Sequence, residues 1–326
     1  MPKRVKAAYV GKALEYLVVN QLRSLPGCSL TPDAKKMQRA HQKYPAMVRE
    51  ERLGSQLLEC LEQGASVTVE WMTDELRLET GKFMLHRPAD RDDGTADVVI
   101  RRGRKSQNIS LKHNNHSLKH QRPYRFLNDV KLSDSTVSPS HEKKIKRLTD
   151  DFSKKHSKKT YFSRVERASK DLEVAVCDAT SQTLKKLRVN PRDVEKLFRY
   201  LIGHGSTRGD YLDYLVVVKT KGGKTQEGRL AGTYLYAYEA VPMPKRMKVR
   251  TEVRGKNNYV VIYFDNGWVV SMRIHRDDNK IPKSGKHRLK FDCKLDVGRF
   301  PVSPVILYDE ELHPWTSSRR RRKINK

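Results

Sequence analysis

The sequence predicts an α/β protein, in which a mixed sheet flanked by helices is followed by a β-rich C-terminal region. Apolar residues recur at three- and four-residue steps near the N-terminus, which is typical of amphipathic helices. A β-hairpin pattern covers residues 95–112, and short strand-like runs separated by turns follow residue 230. We therefore divide the chain into a core over 1–230, a β-rich region over 231–317 and a basic tail over 318–326.

The N-terminal elements are assigned from apolar spacing. Residues 5–25 are predicted as a helix that ends at Pro26-Gly27. A second helix is predicted over 33–63, with a break at Pro45. Ser66–Trp71 alternates between apolar and polar residues, which predicts a strand.

The middle of the chain is polar and basic, and it is predicted to combine loops with helices. We expect loops over 113–160 with a helix near 141–152, then helices over 165–202 interrupted at Asn190-Pro191. Strands are predicted at Leu212–Lys219, Gly232–Glu239, Lys248–Arg254, Tyr259–Phe264, Trp268–His275 and Arg288–Leu295.

The charge of the chain indicates a polyanionic partner. Its 326 residues include 67 Lys and Arg against 38 Asp and Glu, which gives a formal net charge of +29. So large an excess is self-repulsive, and nucleic acid is the usual partner because binding releases condensed counterions. An ordinary basic surface and an anionic membrane surface are the alternatives.

Cysteine usage and hydropathy exclude several other classes. The four cysteines are widely separated and form no CxxC pair, which argues against a disulfide framework or a zinc knuckle and fits a reducing cytoplasm. No apolar run approaches the ~20 residues that span a bilayer, so no membrane partner is expected. The N-terminus also lacks the apolar stretch of a signal peptide.

The 95–112 hairpin carries the residues that phosphodiester hydrolysis needs. That chemistry requires a divalent metal held by oxygen ligands, a positioned water and a cation that offsets charge on the phosphate. Asp97 lies on the first strand, and Ser110-Leu111-Lys112 occupies an acid-x-lysine position on the second. Strand alternation places Ser110 and Lys112 on the site face and Leu111 toward the core. The arrangement resembles that of PD-(D/E)xK nucleases, which implies that Leu111 offers its backbone carbonyl to Mg²⁺.

Serine at position 110 leaves this site one acid short. Glu15 in the first helix is the candidate replacement, because it shares a helix side with Gly11, Val18 and Leu22. The alternative interpretation of Glu15 is a boundary glutamate paired with a lysine. Less attractive acids are Glu70, Glu75 and Glu79.

Several short blocks resemble the HaeIII-type restriction endonucleases, a type II family of the PD-(D/E)xK superfamily. The blocks are Val10–Tyr16, the segment Lys112–Pro123 that begins KHNNHSLKHQR, the segment Asn266–His275 that ends RIH, and Leu289–Asp292 with the sequence LKFD. They occur in the family's order and span most of the chain. The chain departs from the family after RIH, where Arg276-Asp277 stands in place of Asn-Ala.

The resemblance implies a PD-(D/E)xK fold and a type II enzyme that cleaves double-stranded DNA. It further implies Mg²⁺ as cofactor, GGCC as target, blunt ends and a cognate DNA methyltransferase in a prokaryotic cytoplasm. The β-rich region is then expected to help grip DNA. Cleavage of both strands of a palindrome suits a homodimer, although a monomer nicking twice is equally allowed.

Polar residues in the matching blocks are the candidate DNA contacts. His113, Asn114 and His116 are expected to contact phosphates or orient Lys112, with a polar loop as the alternative. Lys119 and Arg122 are expected on the DNA backbone, unless they are merely solvated charges. Arg273 and His275 are expected to share one exposed face of a strand, and Lys290 lies on another predicted strand. All three are candidate contacts in a DNA groove, with an ordinary sheet surface as the alternative.

Two other functions stay open at this point. One is a repair or structure-specific nuclease of the same fold. The other is a DNA-binding protein without catalysis, which the serine at position 110 permits.

Overall fold

The structure is a computed structural model of the chain. It describes residues 7–51, 54–86, 96–114, 117–156, 161–202, 213–221, 229–237, 242–276, 280–281, 289–296 and 304–311. Two compact units are present, one from 1–115, 212–239 and 303–326, the other from 116–211 and 240–302. The boundaries proposed after residues 230 and 317 stay predictions, and the basic tail lies outside the described residues. In the described part of the chain, no helix is both long and apolar enough to cross a membrane.

The first unit contains a seven-stranded mixed sheet, in the order β1-β2-β3-β4-β6-β7-β12. The pairs β1/β2 and β4/β6 are parallel and the others antiparallel. The strands, numbered along the chain, are β1 (Cys28–Leu30), β2 (Phe83–His86), β3 (Val98–Arg102), β4 (Lys105–His113), β6 (Tyr214–Lys221), β7 (Arg229–Ala237) and β12 (Val305–Asp309).

Helices cover this sheet and supply the rest of its core. They are α1 (Ala7–Arg23), α2 (Pro32–His41), α3 (Tyr44–Arg49) and α4 (Gly54–Glu75). The predicted first helix is confirmed as α1. The predicted helix over 33–63 is three helices, and the break expected at Pro45 falls at the start of α3. Residues from α1, α4 and the central strands pack into one apolar cluster, including the fully buried Leu14, Val18, Leu61, Ile109 and Val218.

The strand predicted at Ser66–Trp71 is wrong, because these residues belong to α4. Burial along α4 follows helical spacing, with Leu61, Ala65, Thr68 and Met72 all buried. The Thr68 hydroxyl donates to the Gly64 carbonyl at 2.7 Å, which satisfies it within the helix. Tertiary packing of this face outweighs the β preference of the local Val-Thr-Val run.

The second unit contains a five-stranded antiparallel sheet, in the order β5-β11-β10-β9-β8. The strands are β5 (Ser117–Gln121), β8 (Met247–Arg254), β9 (Asn257–Phe264), β10 (Val269–Arg276) and β11 (Leu289–Leu295). Three helices accompany it: α5 (Val137–His156), α6 (Glu166–Leu187) and α7 (Pro191–Leu201). The predicted α/β fold, with a mixed sheet flanked by helices and a β-rich C-terminal part, is confirmed.

One face of the five-stranded sheet forms the core of the second unit. Met272 and Ile274 are buried on that face, as their spacing predicts. Trp268 is also buried, with its ring edge-on to Phe198 of α7. Arg273 and His275 alternate with Met272 and Ile274 along β10, so their side chains point to the opposite, polar face of the sheet.

Candidate active site

The β3–β4 hairpin brings Asp97 beside the end of β4. Val98 is paired with Ile109, and the Asp97 backbone N–H donates to the Ile109 carbonyl at 2.9 Å. Asp97 thus precedes β3 by one residue, opposite the point where β4 continues into Ser110, Leu111 and Lys112. Strand pairing alone therefore places the predicted acid next to the predicted acid-x-lysine segment.

Three consecutive residues of β4 donate to one oxygen of Asp97. The Oδ2 atom accepts from the Ser110 hydroxyl at 2.8 Å, the Leu111 backbone N–H at 2.7 Å and the Lys112 Nζ at 3.1 Å. The hydroxyl and the ammonium reach Asp97 from the same face of β4. The backbone N–H of the residue between them holds the carboxylate beside the strand. Asp97 is therefore held in a single orientation with its charge compensated.

The ion pair between Asp97 and Lys112 is shielded but open to a substrate. Its side chains retain 20 % and 18 % of their exposure, respectively, while Ser110 is fully buried. Leu111 contributes its side chain to the apolar core. The structure thus has the face assignment that the sequence predicts for Ser110, Leu111 and Lys112.

The Asp97 carboxylate and the Leu111 carbonyl are the oxygen groups that a magnesium ion at this position would use. The N–H and C=O of a strand residue point the same way, so the Leu111 carbonyl faces the side on which its N–H meets Asp97. Mg²⁺ is commonly held by one or two carboxylates, with waters and substrate phosphates completing the octahedron. Within the described ranges, no group of three or more His, Cys, Asp or Glu side chains could hold a metal ion.

Glu15 contacts a histidine in the structure. Its carboxylate lies 3.5 Å from Nδ1 of the buried His41 of α2. Glu15 as a metal ligand stays a prediction. Of the other acids considered, Glu70 and Glu75 belong to α4, and Glu79 lies in a short 3-10 turn at Leu78–Thr80.

The residues that follow Lys112 are tied to the neighbouring strand β6. Asn114 has a left-handed backbone (φ 54°), and its side-chain oxygen accepts from the Thr220 N–H at 2.8 Å. The Asn114 amide and the His113 ring each lie 3.0 Å from the Thr220 hydroxyl. Burial lowers the pKa of His113 to about 4, so its ring is neutral at pH 7. These contacts position the end of β4 that carries Lys112.

A carboxylate that sequence reasoning missed fixes the other side of β4. Asp213 Oδ2 accepts from the Asn108 backbone N–H at 2.6 Å, while the Asp213 N–H donates to the Asn108 carbonyl at 2.9 Å. Asp213 directly precedes β6 and is almost fully buried. It aligns the parallel β4–β6 pair from which Ser110 and Lys112 project.

Other predicted DNA contacts belong to the second unit or lie outside the described residues. His116 is among the latter. Lys119 lies on β5 with its backbone opposite Cys293, and its side chain is outside the described part. The Arg122 guanidinium donates to the Leu289 carbonyl at 3.3 Å, which anchors it to β11.

The RIH and LKFD blocks face each other across the β10/β11 ladder. Arg273 is paired with Asp292, and His275 with Lys290. The Arg273 Nη2 lies 3.3 Å from Oδ2 of the buried Asp292, an acid that sequence reasoning did not single out. Pairing the two blocks as antiparallel strands would have found it. A buried carboxylate that holds one edge of a guanidinium restricts its rotation and aims its remaining donors.

Comparison with known proteins identifies one family. A search of curated proteins and a search of solved structures give no significant match. The sequence profile of the HaeIII restriction endonuclease family matches residues 11–298, which is most of the chain. The chain therefore belongs to the HaeIII restriction endonuclease family, a family of site-specific nucleases that act on double-stranded DNA.

Proposed function

We propose that this protein is a Mg²⁺-dependent type II endonuclease whose hydrolytic site is centred on Asp97 and Lys112. The observation that carries the proposal is the convergence of Ser110, Leu111 and Lys112 on Asp97 Oδ2. An acid and a lysine in contact at the ends of two inner strands of a mixed sheet suit phosphodiester hydrolysis better than binding alone. Family membership supports the same activity.

Each residue of the site has a proposed role. Asp97 and the Leu111 carbonyl would hold Mg²⁺, and Glu15 is the proposed second acidic ligand. When bound, the metal supplies a Lewis acid for the phosphate and a lower pKa for a coordinated water. Lys112 positions the attacking water and offsets charge that develops on the phosphate. Ser110 orients Asp97.

The proposed target is GGCC in double-stranded DNA, cut to blunt ends. Arg and Lys side chains suit such a target because they can reach O6 and N7 of guanine in the major groove. Arg273, His275 and Lys290 are the proposed contacts on β10 and β11. Phosphate contacts are proposed for His113, Asn114, His116, Lys119 and Arg122. A cognate methyltransferase, a homodimeric state and a prokaryotic cytoplasm complete the proposal.

Plasmid cleavage separates the proposed enzyme from the two alternatives. Discrete fragments with Mg²⁺ support a restriction enzyme, whereas structure-dependent nicking supports a repair nuclease and intact plasmid supports a binding protein. Sequencing the fragment ends then tests the target. Ends that lie elsewhere than GGCC would remove the proposed specificity but leave the nuclease.

Substitutions test the site itself. We expect Asp97→Asn and Lys112→Met to lower the cleavage rate by about 10³-fold or more, because each removes charge stabilisation in the transition state. DNA affinity in Mg²⁺-free buffer should persist. Asp178→Asn, an exposed carboxylate on α6, serves as the matched control. Full activity in both site variants would refute the assignment, and full activity of Glu15→Ala would remove Glu15 from it.

A further inference from the structure

A cavity of about 410 Å³ lies between α1, β1 and α2 of the first unit. Its lining includes three cations, Arg23, Lys35 and Arg39, together with Tyr16 and Leu30. None of the lining residues is acidic. The cavity is therefore a concave surface of one sign of charge.

Two helix faces build this cavity. Lys35 and Arg39 are four residues apart on α2, and Tyr16 and Arg23 are seven apart on α1, so each pair projects from one side of its helix. Gln38, between the two cations of α2, is 5 % exposed, and its amide donates to the Tyr16 carbonyl at 3.0 Å. This hydrogen bond joins α2 to α1 at the floor of the cavity, and the three exposed cations surround that floor.

In the part of the chain that the structure describes, the three cations have no carboxylate partner. Among the described residues, no carboxylate forms an ion pair with Arg23, Lys35 or Arg39. Neighbouring like charges repel one another, and because all three cations are exposed, water and salt weaken this repulsion. An anion in the cavity would relieve it.

The topology of the sheet places the cavity near the candidate active site. Leu30 is paired with Leu85, and Leu85 with Ile100 of β3. β1 and β2 end, and β3 begins, at the same side of the sheet where β4 carries Lys112. Two strand spacings and three residues of rise separate Leu30 from Asp97, which is roughly 14 Å.

We propose that this cavity binds a backbone phosphate of the DNA strand within about four nucleotides of the bond that is cleaved. The limit follows because the axial rise of about 3.4 Å per nucleotide is the shortest possible spacing of successive phosphates along one strand. The proposal rests on the proposed function, since DNA is the anion that this function brings to the site. A net charge of +29 favours the same ligand.

Salt-dependent DNA binding tests the cavity with a matched control. The measurement uses a duplex containing GGCC, Mg²⁺-free buffer and the Asp97→Asn protein as parent. Each neutralised phosphate contact contributes about 0.9 to the slope of log K against log salt. We expect Lys35→Gln and Arg39→Gln each to lower the slope, and the double variant to lower it by about that amount. Lys36→Gln, the neighbouring α2 cation outside the cavity lining, should change it much less.

Duplexes with neutral methylphosphonate linkages locate the contact. A neutral linkage at one position within about four nucleotides of the cleaved bond should weaken binding of the parent protein but not of the Lys35→Gln/Arg39→Gln variant. Equal slopes for the Lys35→Gln and Lys36→Gln proteins, or an equal methylphosphonate effect in parent and variant, would overturn the proposal. Inorganic phosphate that the parent binds equally well with and without duplex, and that the variant does not bind, would also overturn it, because the cavity would then hold a free anion while DNA is bound. Failure of the parent to bind any duplex would instead overturn the proposed function.

Discussion

Serine at position 110 changes what the second strand of the hairpin contributes. Its side chain is fully buried, and the hydroxyl donates to Asp97 Oδ2 at 2.8 Å. A carboxylate at this position would put a second negative charge within hydrogen-bond distance of the first. Such a pair repels unless a metal or a proton lies between them. Where a carboxylate would be a metal ligand, Ser110 therefore supplies a hydrogen-bond donor that orients Asp97.

Ser110→Ala tests this orienting role. The change removes one of three hydrogen bonds to Asp97, a loss of about 1 kcal/mol that corresponds to a roughly fivefold to tenfold lower cleavage rate. Single-turnover cleavage measures the rate, and DNA affinity should not change. Ser66→Ala, whose hydroxyl donates to a helix carbonyl on an exposed face, is the control. An unchanged single-turnover rate in Ser110→Ala would mean that the hydroxyl does not orient Asp97.

Local sequence patterns could predict only part of the site. Asp97, Ser110 and Lys112 follow from strand alternation across one hairpin, because strand pairing brings them together over 15 residues or fewer. Asp213 and Thr220 contact Asn108 and His113 across 105 and 107 residues, and no local pattern encodes that pairing. Asp292 lies between these cases, since its partner Arg273 is only 19 residues away on the adjacent strand.

Helix α4 shows how packing decides an element that local propensity misassigns. Its Val67-Thr68-Val69 run is typical of a strand, yet the helix continues through it. Gly64 packs directly on β6, where an added Cβ would lie 2.5 Å from Val218 Cγ1. The close approach of α4 to β6 requires the glycine, and the strand next to β6 is the one that carries Lys112.

Two helical glycines of the first unit should respond in opposite directions to alanine. Gly64→Ala overpacks a fully buried β-branched neighbour and should destabilise the protein by about 1–2 kcal/mol. Gly11→Ala on α1 meets no atom within 4 Å and should stabilise it by about 0.5–1 kcal/mol, because alanine is the better helix former. Urea denaturation followed by circular dichroism compares them. The packing argument fails if both substitutions shift the midpoint the same way.

His141 couples helix α5 of the second unit to pH. The buried ring lies 2.8 Å from the Pro123 carbonyl through Nε2, which must therefore carry the proton, and 3.2 Å from the Thr183 hydroxyl. Burial lowers the pKa of His141 to about 4, despite the hydrogen bond to Pro123, which raises it. The unfolded chain consequently takes up a proton near pH 6.5 that the folded protein refuses until about pH 4.

The sign of this linkage predicts acid sensitivity. Stability contributed by neutral His141 is present above pH 6.5 and is lost as the pH falls toward 4. Between pH 7 and pH 5 the loss is about 2 kcal/mol. The pKa of His113 is also lowered to about 4, so this residue contributes a loss of stability of the same sign. His141→Asn should therefore remove about half of the loss in unfolding free energy that the two histidines cause together between pH 7 and pH 5. Urea unfolding at both pH values measures it. An identical pH dependence in the variant would show that His141 is not protonated on unfolding.

At the scale of the whole molecule, a formal charge of +29 is the feature that acts beyond single contacts. Such a charge repels itself in the folded protein and attracts polyanions at long range. The sequence alone left an anionic membrane as an alternative partner. Family membership identifies DNA as the substrate, and the same charge then supports binding of DNA of any sequence before a target is found.

Binding to DNA without a target site should therefore depend steeply on salt. A protein that neutralises six to ten phosphates loses about 10³–10⁵ in affinity between 50 and 200 mM salt, and we expect a loss of that size here. Fluorescence anisotropy of a labelled duplex lacking GGCC, with the Asp97→Asn protein in Mg²⁺-free buffer, measures it. Vesicles with anionic headgroups serve as competitor, because they offer surface charge without the regular phosphate spacing of a duplex. A slope below about 2, or displacement of the duplex by vesicles at equal charge concentration, would mean that the positive surface is not adapted to DNA.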